Sequence, residues 1–273
     1  MDHTASISNN PKVRTVRVFS QMAETYDQGG PAYFSRFGQR LVDIANVSVG
    51  ARVLDVATGR GAVLFPAAEA VGDTGTVVGI DLTETMVRLT SAELASREIS
   101  NAEVRVGDAE ELTFPDASFD IVLCGFGVMF FPQLNRAMAE FRRVLASGGT
   151  LGVSTYATIP PTPAIGPVMR AYQETSRNPL TQDLATVDEL EALLDGNGFT
   201  NVNVHEETLD VVYADADEYW AWSMGLLTGV WFRAQTPEIQ ARFEADVRVH
   251  LATIQQPDGI HEFVTALIAT GTS

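Results

Sequence analysis

The sequence predicts an α/β protein with an open, mostly parallel sheet, helices on both faces and an antiparallel edge. Between residues 52 and 155, short β-rich runs alternate with helix-like runs, which is the element order of a parallel sheet. The run at 119–123 leads into a continuous apolar stretch that begins at residue 121, as expected of a strand buried on both faces. Two later β-rich runs, separated by a helical insert, predict the antiparallel edge.

Each strand is predicted from β-branched and apolar residues bounded by turn residues. In chain order the strands cover 52–57, 76–80, 103–106, 119–123, 150–155, 202–213 and 262–269. Helical apolar spacing predicts the helices between them. These cover 62–71, 83–98, 133–145, 163–177 and 187–195, the last beginning with a capping box formed by Thr186 and Glu189.

The ends of the chain and one insert lie outside this alternation. Residues 1–10 are polar and predict a disordered tail. Residues 11–47 read as two helices separated by a Gly-Gly-Pro turn, and we expect them to form an N-terminal helical lid. Residues 48–273 form the main domain. Its helical insert, at about 215–255, holds all three tryptophans.

Composition excludes several functional classes. The formal net charge is −17, which disfavours nucleic acid and anionic membrane surfaces because both recruit clustered cations. A single cysteine, Cys124, rules out an intrachain disulfide and a cysteine-based metal cluster. The longest apolar run, 121–131, has eleven residues and is too short to span a bilayer. We therefore expect a soluble, cytoplasmic protein with no membrane insertion.

The most informative segment is VLDVATGRG, where a predicted strand runs into a glycine turn that opens a helix. Such a turn lets the backbone approach a ligand closely, and the helix N-terminus offers free N–H groups. Asp55, Asp81 and Asp108 each lie at or just past the end of one of the first three strands. Alone, each acid reads equally as a helix cap or loop residue. Together they line the sheet edge where open α/β folds bind ligands.

These segments resemble the class I S-adenosylmethionine-dependent methyltransferases, which implies a Rossmann-like fold. VLDVATGRG matches the glycine-rich first motif, and VVGIDLTETMV matches the second. GDAEELTFPDASFDIVLCGFGVMFF matches the adenine and fourth-strand region, and RRVLASGGTL matches the turn before the fifth strand. The upstream FSQMAETYD is similar to the methyltransferase type 11 group, which includes the ubiquinone- and menaquinone-biosynthesis C-methyltransferases. The resemblance covers residues 15–156.

The resemblance implies a residue-by-residue site for S-adenosyl-L-methionine, with S-adenosyl-L-homocysteine as product. The glycine turn and the fourth-strand end would hold the methionine part, Asp55 its amino group, Asp81 the ribose, and the loop after the third strand the adenine. The implied contacts are Asp55, Ala57, Thr58, Gly59, Gly61, Asp81, Leu82, Met86, Asp108, Ala109, Cys124 and Phe126. Ala57 departs from the family, which has glycine there, so we expect altered but retained cofactor affinity.

Methyl transfer from a sulfonium is an in-line displacement, so the protein chiefly supplies alignment and a dry cavity. Tyr26 is expected to close over the methyl group, and His261 is the best candidate for a base. No metal site is predicted. The predicted acceptor contacts are aromatic: Phe19, Phe130, Phe131, Trp220 and Trp231. The tryptophans read equally as residues of a packed helix.

We therefore predict methyl transfer to a small hydrophobic acceptor: a natural product that is quinone-like, aromatic or isoprenoid. Carbon methylation is slightly favoured over oxygen methylation, because no histidine is clearly placed as a base and aromatic faces support a cationic intermediate. One alternative is a nicotinamide-dependent oxidoreductase, although Leu64 stands where the dinucleotide fingerprint has its third glycine. Another is a cofactor-binding member repurposed for a non-methylation role. The apolar N-terminal helices also predict a possible homo-oligomer.

Overall fold

The computed structural model describes residues 10–28, 30–31, 33–157, 164–172 and 184–273. The predicted disordered tail therefore lies outside the described residues except for Asn10. That residue caps the first helix, because its side chain accepts a hydrogen bond from the Lys12 backbone N–H. Part of the predicted helix at 163–177 also lies outside them.

Within the described residues, seven strands form one sheet in the order β3-β2-β1-β4-β5-β7-β6. All neighbouring strands are parallel except β7, which runs antiparallel to both β5 and β6. This confirms the predicted Rossmann-like sheet with an antiparallel edge. The strands are β1 (Arg52–Val56), β2 (Thr76–Asp81), β3 (Ala102–Val106), β4 (Phe119–Gly125), β5 (Leu145–Tyr156), β6 (Thr200–Tyr213) and β7 (Ile260–Thr272).

Helices precede the sheet, connect its strands and form the insert. The N-terminal pair is α1 (Pro11–Met22) and α2 (Tyr33–Ile44). The connecting helices are α3 (Leu64–Val71), α4 (Glu84–Ser96), α5 (Leu134–Val144), α6 (Gly166–Tyr172) and α7 (Val187–Gly196). The insert between β6 and β7 contains α8 (Ala216–Met224), α9 (Leu227–Arg233) and α10 (Pro237–Ile254). The predicted capping box of Thr186 and Glu189 begins α7.

Strand β4 is buried on both faces, as its apolar run predicts. Val122 and Cys124 pack into the core on the side of α5 and α7, whereas Ile121 and Leu123 pack into the core on the side of α2 and α3. Successive side chains of a strand point to opposite faces. The central strand therefore fastens both helical layers to the sheet.

Strand β5 begins earlier than the sequence predicts. Leu145, predicted as the last residue of a helix, pairs with Phe119, and the regular ladder resumes with Ile121 opposite Thr150. The intervening Ser-Gly-Gly segment forms a bulge, with Gly148 at a φ of +76°. The glycines therefore bend the strand rather than turn the chain into it.

The N-terminal helix α2 packs directly against the glycine turn. A Cβ on Gly38 would lie 1.9 Å from the Ala62 carbonyl oxygen, so only glycine allows this approach. At the start of α2, the hydroxyl groups of Tyr33 and Tyr156 lie 2.5 Å apart. Within the described residues, no helix has both the length and the apolar character needed to cross a membrane.

Candidate active site

A cavity opens at the carboxyl ends of β1 to β4, where the strand order reverses between β1 and β4. This switch point is where open α/β sheets bind ligands. About 680 Å³ of open space lies within the cavity and its mouth. Its lining residues are Thr15, Phe19, Tyr26, Val56, Ala57, Gly59, Ile80, Asp81, Leu82, Thr83, Met86, Gly107, Ala109, Gly125, Phe126, Gly127, Phe130 and Phe131.

The glycine turn after β1 exposes backbone to the cavity. Gly59 has a φ of +51°, and a Cβ at this position would meet no atom closer than 4.0 Å. Space on the cavity side is therefore open, and the left-handed backbone is what calls for glycine. Ala57 also adopts a left-handed φ, of 57°, which is strained for a residue with a side chain.

Asp81 ends β2 and accepts hydrogen bonds from two turns, the glycine turn after β1 and the turn that follows β2. Its Oδ2 accepts a hydrogen bond of 2.9 Å from the Gly59 N–H, and its Oδ1 accepts one of 2.8 Å from the Thr83 N–H. Burial raises the pKa of Asp81, although both backbone bonds favour the anion. The Thr83 hydroxyl also favours the anion. A carboxylate has about four acceptor positions, so Asp81 keeps acceptor capacity for a ligand in the cavity.

Asp55 is buried one layer below the cavity and is not among its lining residues. Its Oδ2 accepts a 2.6 Å hydrogen bond from the Thr58 hydroxyl. Its Oδ1 is buried with no hydrogen-bond partner among the described residues. Burial raises the pKa of Asp55 to about 7, against the opposing effect of the Thr58 bond. A carboxyl group in this state favours a nearby cation.

Aromatic rings form the wall opposite the glycine turn. Phe19 of α1 meets Phe130 edge-on, with ring centroids 5.1 Å apart. Tyr26 stacks on Phe34 at 5.0 Å, and burial raises the pKa of its hydroxyl well above the usual value. Tyr26 is therefore neutral at physiological pH. The described lining residues on this side include no cation.

Besides Asp55, four predicted cofactor residues are absent from the cavity lining: Thr58, Gly61, Asp108 and Cys124. Cys124 lies in the hydrophobic core on the α5 side of β4, where burial raises the pKa of its thiol. Its neighbours Gly125 and Phe126 line the cavity instead. Asp108 is also absent from the lining, because its carboxylate pairs with Lys12 at 2.6 Å. Gly107 and Ala109 on either side of it do line the cavity.

His261 has surroundings that do not suit a base. Its Nδ1 lies 2.8 Å from Asp210 and its Nε2 lies 3.2 Å from Asp258. Contacts with Asp210 and Asp258 raise the pKa of His261, which stabilises the protonated form. It is also absent from the cavity lining. Its role as base therefore stays a prediction, and neither its place outside the lining nor its pairing with Asp210 and Asp258 supports that role.

Trp220 and Trp231 do not line this cavity either. Both pack with Phe243 inside the insert, Trp231 at 4.9 Å between ring centroids and Trp220 at 6.1 Å. The third tryptophan, Trp222, is the one that meets the N-terminal helices, 5.2 Å from the Tyr33 ring. Trp220 and Trp231 therefore have the contacts expected of residues in a packed helix.

Sequence reasoning missed several lining residues, among them Thr15, Val56, Ile80, Thr83, Gly107, Gly125 and Gly127. Most are immediate neighbours of predicted residues at the strand ends, so widening each predicted strand end by one or two residues would have included them. Thr15 had no such signal, because only the packing of α1 across the cavity brings it there. Among the described residues, no group of three or more His, Cys, Asp or Glu is placed to hold a metal ion.

Comparison with known proteins identifies methyltransferases that are similar to this chain. A family profile for a methyltransferase domain matches residues 53–149. A nocamycin O-methyltransferase from Saccharothrix syringae is 34% identical over 84% of this chain and 88% of its own. An aklanonic acid methyltransferase from Streptomyces is 40% identical over 53% of this chain and 66% of its own. A demethylmenaquinone methyltransferase from Geobacillus kaustophilus is 35% identical over 50% and 60%.

Solved structures support the same fold. The YcgJ protein from Bacillus subtilis has a TM-score of 0.60 at 21% identity, covering 87% of this chain and 98% of that one. A phosphoethanolamine N-methyltransferase from Haemonchus contortus, solved with S-adenosyl-L-methionine, has a TM-score of 0.59 at 16% identity, covering 92% and 57%. The glycine turn, the acids at the strand ends and the nearly full-length relative agree. The chain belongs to the class I S-adenosylmethionine-dependent methyltransferases.

Proposed function

We propose that this methyltransferase acts on a small, neutral, hydrophobic acceptor, a natural product that is quinone-like, aromatic or isoprenoid. The observation that carries the proposal is the aromatic wall of Phe19, Tyr26, Phe126, Phe130 and Phe131, which faces the cofactor turn without a cation among the described lining residues. A ring system gains most from such a wall, because stacking and edge contacts add to the burial of apolar surface. A phosphate or carboxylate would find no charged partner there.

The residues at the strand ends fit the cofactor. The unpartnered Oδ1 of Asp55 suits the amino group, directly or through a water molecule. The free acceptor positions of Asp81 suit the two ribose hydroxyls. Leu82 and Met86 supply apolar surface for the adenine, and Ala109 supplies its edge. When bound, the cofactor supplies a methyl group activated by a sulfonium, so this chain need not generate the electrophile.

The chain's own contribution is alignment and exclusion of water. Ala57, Gly59 and Gly127 shape the turn beneath the cofactor, and a Cβ on Gly127 would lie only 2.7 Å from that of Ala57. Tyr26, together with Phe19 of α1, closes the opposite side. Holding two reactants in line in a dry site replaces a bimolecular encounter by a unimolecular step.

The relatives narrow the acceptor class. Their names contain nocamycin, aklanonic acid and demethylmenaquinone, and we carry over to this chain only the shared class of small natural product. The described lining holds no histidine to take a proton, and the Asp81 carboxylate already accepts the Gly59 and Thr83 N–H bonds. Attack by an electron-rich carbon needs no base before the methyl group is transferred. We therefore retain carbon as the favoured acceptor atom.

Turnover of paired acceptors tests the proposal. The enzyme is incubated with carbon-13-methyl S-adenosylmethionine and either a neutral naphthoquinol or the same ring carrying a carboxylate. We expect the neutral acceptor to be methylated with the higher kcat/KM, and the carbon-13 chemical shift of the product to show a methyl group on carbon. Preference for the charged acceptor would contradict the proposed pocket, and a methyl group on oxygen would contradict the favoured atom.

Tyr26→Phe is the matched variant for this assay. It removes one hydroxyl from the aromatic wall and leaves the ring that stacks on Phe34. If Tyr26 closes over the methyl group, kcat should fall while S-adenosylmethionine affinity stays nearly intact. Cofactor binding without formation of S-adenosylhomocysteine from any acceptor would instead favour the repurposed, non-methylating role.

A further inference from the structure

Helix α1 lies across the cofactor cavity and is fastened at both ends. Thr15 and Phe19, in the middle of the helix, line the cavity. Just past the end of the helix, the Ala23 carbonyl accepts a 3.0 Å hydrogen bond from Arg60 of the glycine turn. At the start of the helix, Lys12 reaches the loop that follows β3. The helix thus spans from one predicted cofactor loop to another.

Lys12 forms ion pairs with two carboxylates. Its Nζ lies 2.6 Å from Asp108 Oδ2 and 2.5 Å from Glu110 Oε2. Burial alone would lower the pKa of Lys12, but the bonds to both carboxylates outweigh it and raise the pKa, so the ammonium stays charged. The Glu110 side chain is only 1% exposed. Without Lys12, this buried carboxylate would keep hydrogen bonds from the Gln133 backbone N–H at 2.6 Å and from the Gln133 side-chain amide at 3.3 Å.

The same short loop builds the cavity. Gly107 and Ala109 line it, while Asp108 between them and Glu110 beside them hold Lys12. The Asp108 carboxylate is also held from within the loop, because its Oδ1 accepts a 2.9 Å bond from the Glu110 N–H. Displacement of α1 would therefore remove a cation from the loop expected to hold the adenine edge.

We propose that Lys12, Asp108 and Glu110 form a latch that holds α1 closed over the bound cofactor, and that opening the latch controls cofactor exchange. Lys12 is here a positioning residue, because it acts through the helix and the loop. The inference rests on the proposed cofactor placement and is independent of the acceptor.

Dissociation of S-adenosylhomocysteine tests the latch without any acceptor. Labelled S-adenosylhomocysteine is bound to the full-length protein and chased with unlabelled ligand. Lys12→Met should accelerate dissociation by at least about fivefold, because a charge-assisted contact is lost. Arg17→Met is the matched control: it removes the same charge from an exposed position on the same helix, and we expect it to leave the rate unchanged.

Two further measurements separate a latch from a merely structural lysine. Salt screens ion pairs, so the wild-type dissociation rate should rise with sodium chloride, whereas the Lys12→Met rate should hardly change. Asp108→Asn and Lys12→Met should also be coupled, with the double variant dissociating more slowly than the product of the single effects predicts.

Three results would overturn the latch. At low salt, S-adenosylhomocysteine could dissociate from Lys12→Met at the same rate as from Arg17→Met. The effects of Lys12→Met and Asp108→Asn on that rate could also multiply independently. The salt dependence could also persist unchanged in Lys12→Met. Failure of the wild-type protein to bind S-adenosylhomocysteine would contradict the cofactor placement itself, and the latch with it. Binding with unaltered exchange in Lys12→Met would contradict the latch alone.

Discussion

At the scale of single residues, the site relies on carboxyl groups whose surroundings give them different states. Asp81 accepts two backbone N–H bonds at the cavity edge. Asp55 is buried with one oxygen unpartnered. Backbone donors stabilise a carboxylate, and burial without a partner destabilises it. We therefore expect Asp81 to accept hydrogen bonds from a ligand directly, and Asp55 to ionise fully when a cation lies beside it.

Asp81→Ala should weaken S-adenosylmethionine binding by about 2–3 kcal/mol, because the ribose loses a charge-assisted pair of hydrogen bonds. The substitution also frees the N–H groups of Gly59 and Thr83, so part of the loss comes from a looser turn. Calorimetry on Asp81→Ala and the isosteric Asp81→Asn would separate the two effects. Unchanged affinity in both variants would remove Asp81 from the site.

Cofactor binding should release protons near pH 7 through Asp55. With a pKa of about 7, this group is about half protonated at that pH, and a cation beside it would lower its pKa. The release should grow as the pH falls below 7, toward one proton as long as the pH stays above the lowered pKa of the bound state, and it should vanish above about pH 9, where Asp55 is already ionised before binding. Binding enthalpies measured in buffers of different ionisation enthalpy report the protons, and Asp55→Asn should abolish the release.

Ala57→Gly should raise the free energy of unfolding by up to about 1 kcal/mol, because a left-handed φ strains alanine and not glycine. The gain is limited by the greater freedom of glycine in the unfolded chain. Urea unfolding measures it. Ala57→Ser, which keeps a Cβ, is the control and should show no gain. A destabilised glycine variant would mean that contacts of the Ala57 methyl group outweigh the strain.

At the scale of elements, the two N-terminal helices differ, because only the first contributes residues to the cavity. Residues of α1 line the cavity, and Met22 at its end is buried. Helix α2 instead packs on the glycine turn and on β5, with Tyr33 bonded to Tyr156. The two helices therefore have separate roles, the first as a cover and the second as part of the framework.

Deleting residues 1–28 should reduce turnover by more than about tenfold, a change of about 1.4 kcal/mol in activation free energy. The sheet should stay folded, because α2 and every strand remain. The rate of methylation of an accepted substrate measures turnover. Far-ultraviolet circular dichroism during urea unfolding measures the stability of the sheet. Full activity in the truncated protein would show that α1 is not a functional cover.

At the scale of the whole molecule, the net charge of −17 disfavours anionic molecules near the site. Acidic side chains repel anionic acceptors over a Debye length of about 8–10 Å at physiological salt. The net negative charge therefore favours a neutral acceptor over an anionic one.

Turnover should need no added divalent metal and should survive EDTA, because the methyl donor requires no Lewis acid. The measurement is initial rate after dialysis against the chelator, with and without magnesium restored. A catechol O-methyltransferase that requires magnesium, treated alongside, provides the positive control. Loss of turnover that magnesium reverses would contradict the expectation.

The sequence by itself determined the alternation of strands and helices, the glycine turn and the acids at the strand ends. These are local features, because alternating patterns and turn residues fix each element and the parallel topology brings the strand ends together. Asp81 and Gly59 could thus be placed in one site from their positions 22 residues apart. The helical insert was also visible, because its apolar spacing and tryptophans are continuous in the chain.

Only the tertiary structure decided which side chains face the cavity and which partners they meet. Lys12 and Asp108 are 96 residues apart, and no local pattern signals their ion pair. His261 and Cys124 are residue types that often act in functional sites. The distant carboxylate of Asp210 stabilises the positive charge of His261, and strand alternation directs Cys124 into the core. Packing between remote segments sets orientation and charge state, and that information is absent from any single stretch of sequence.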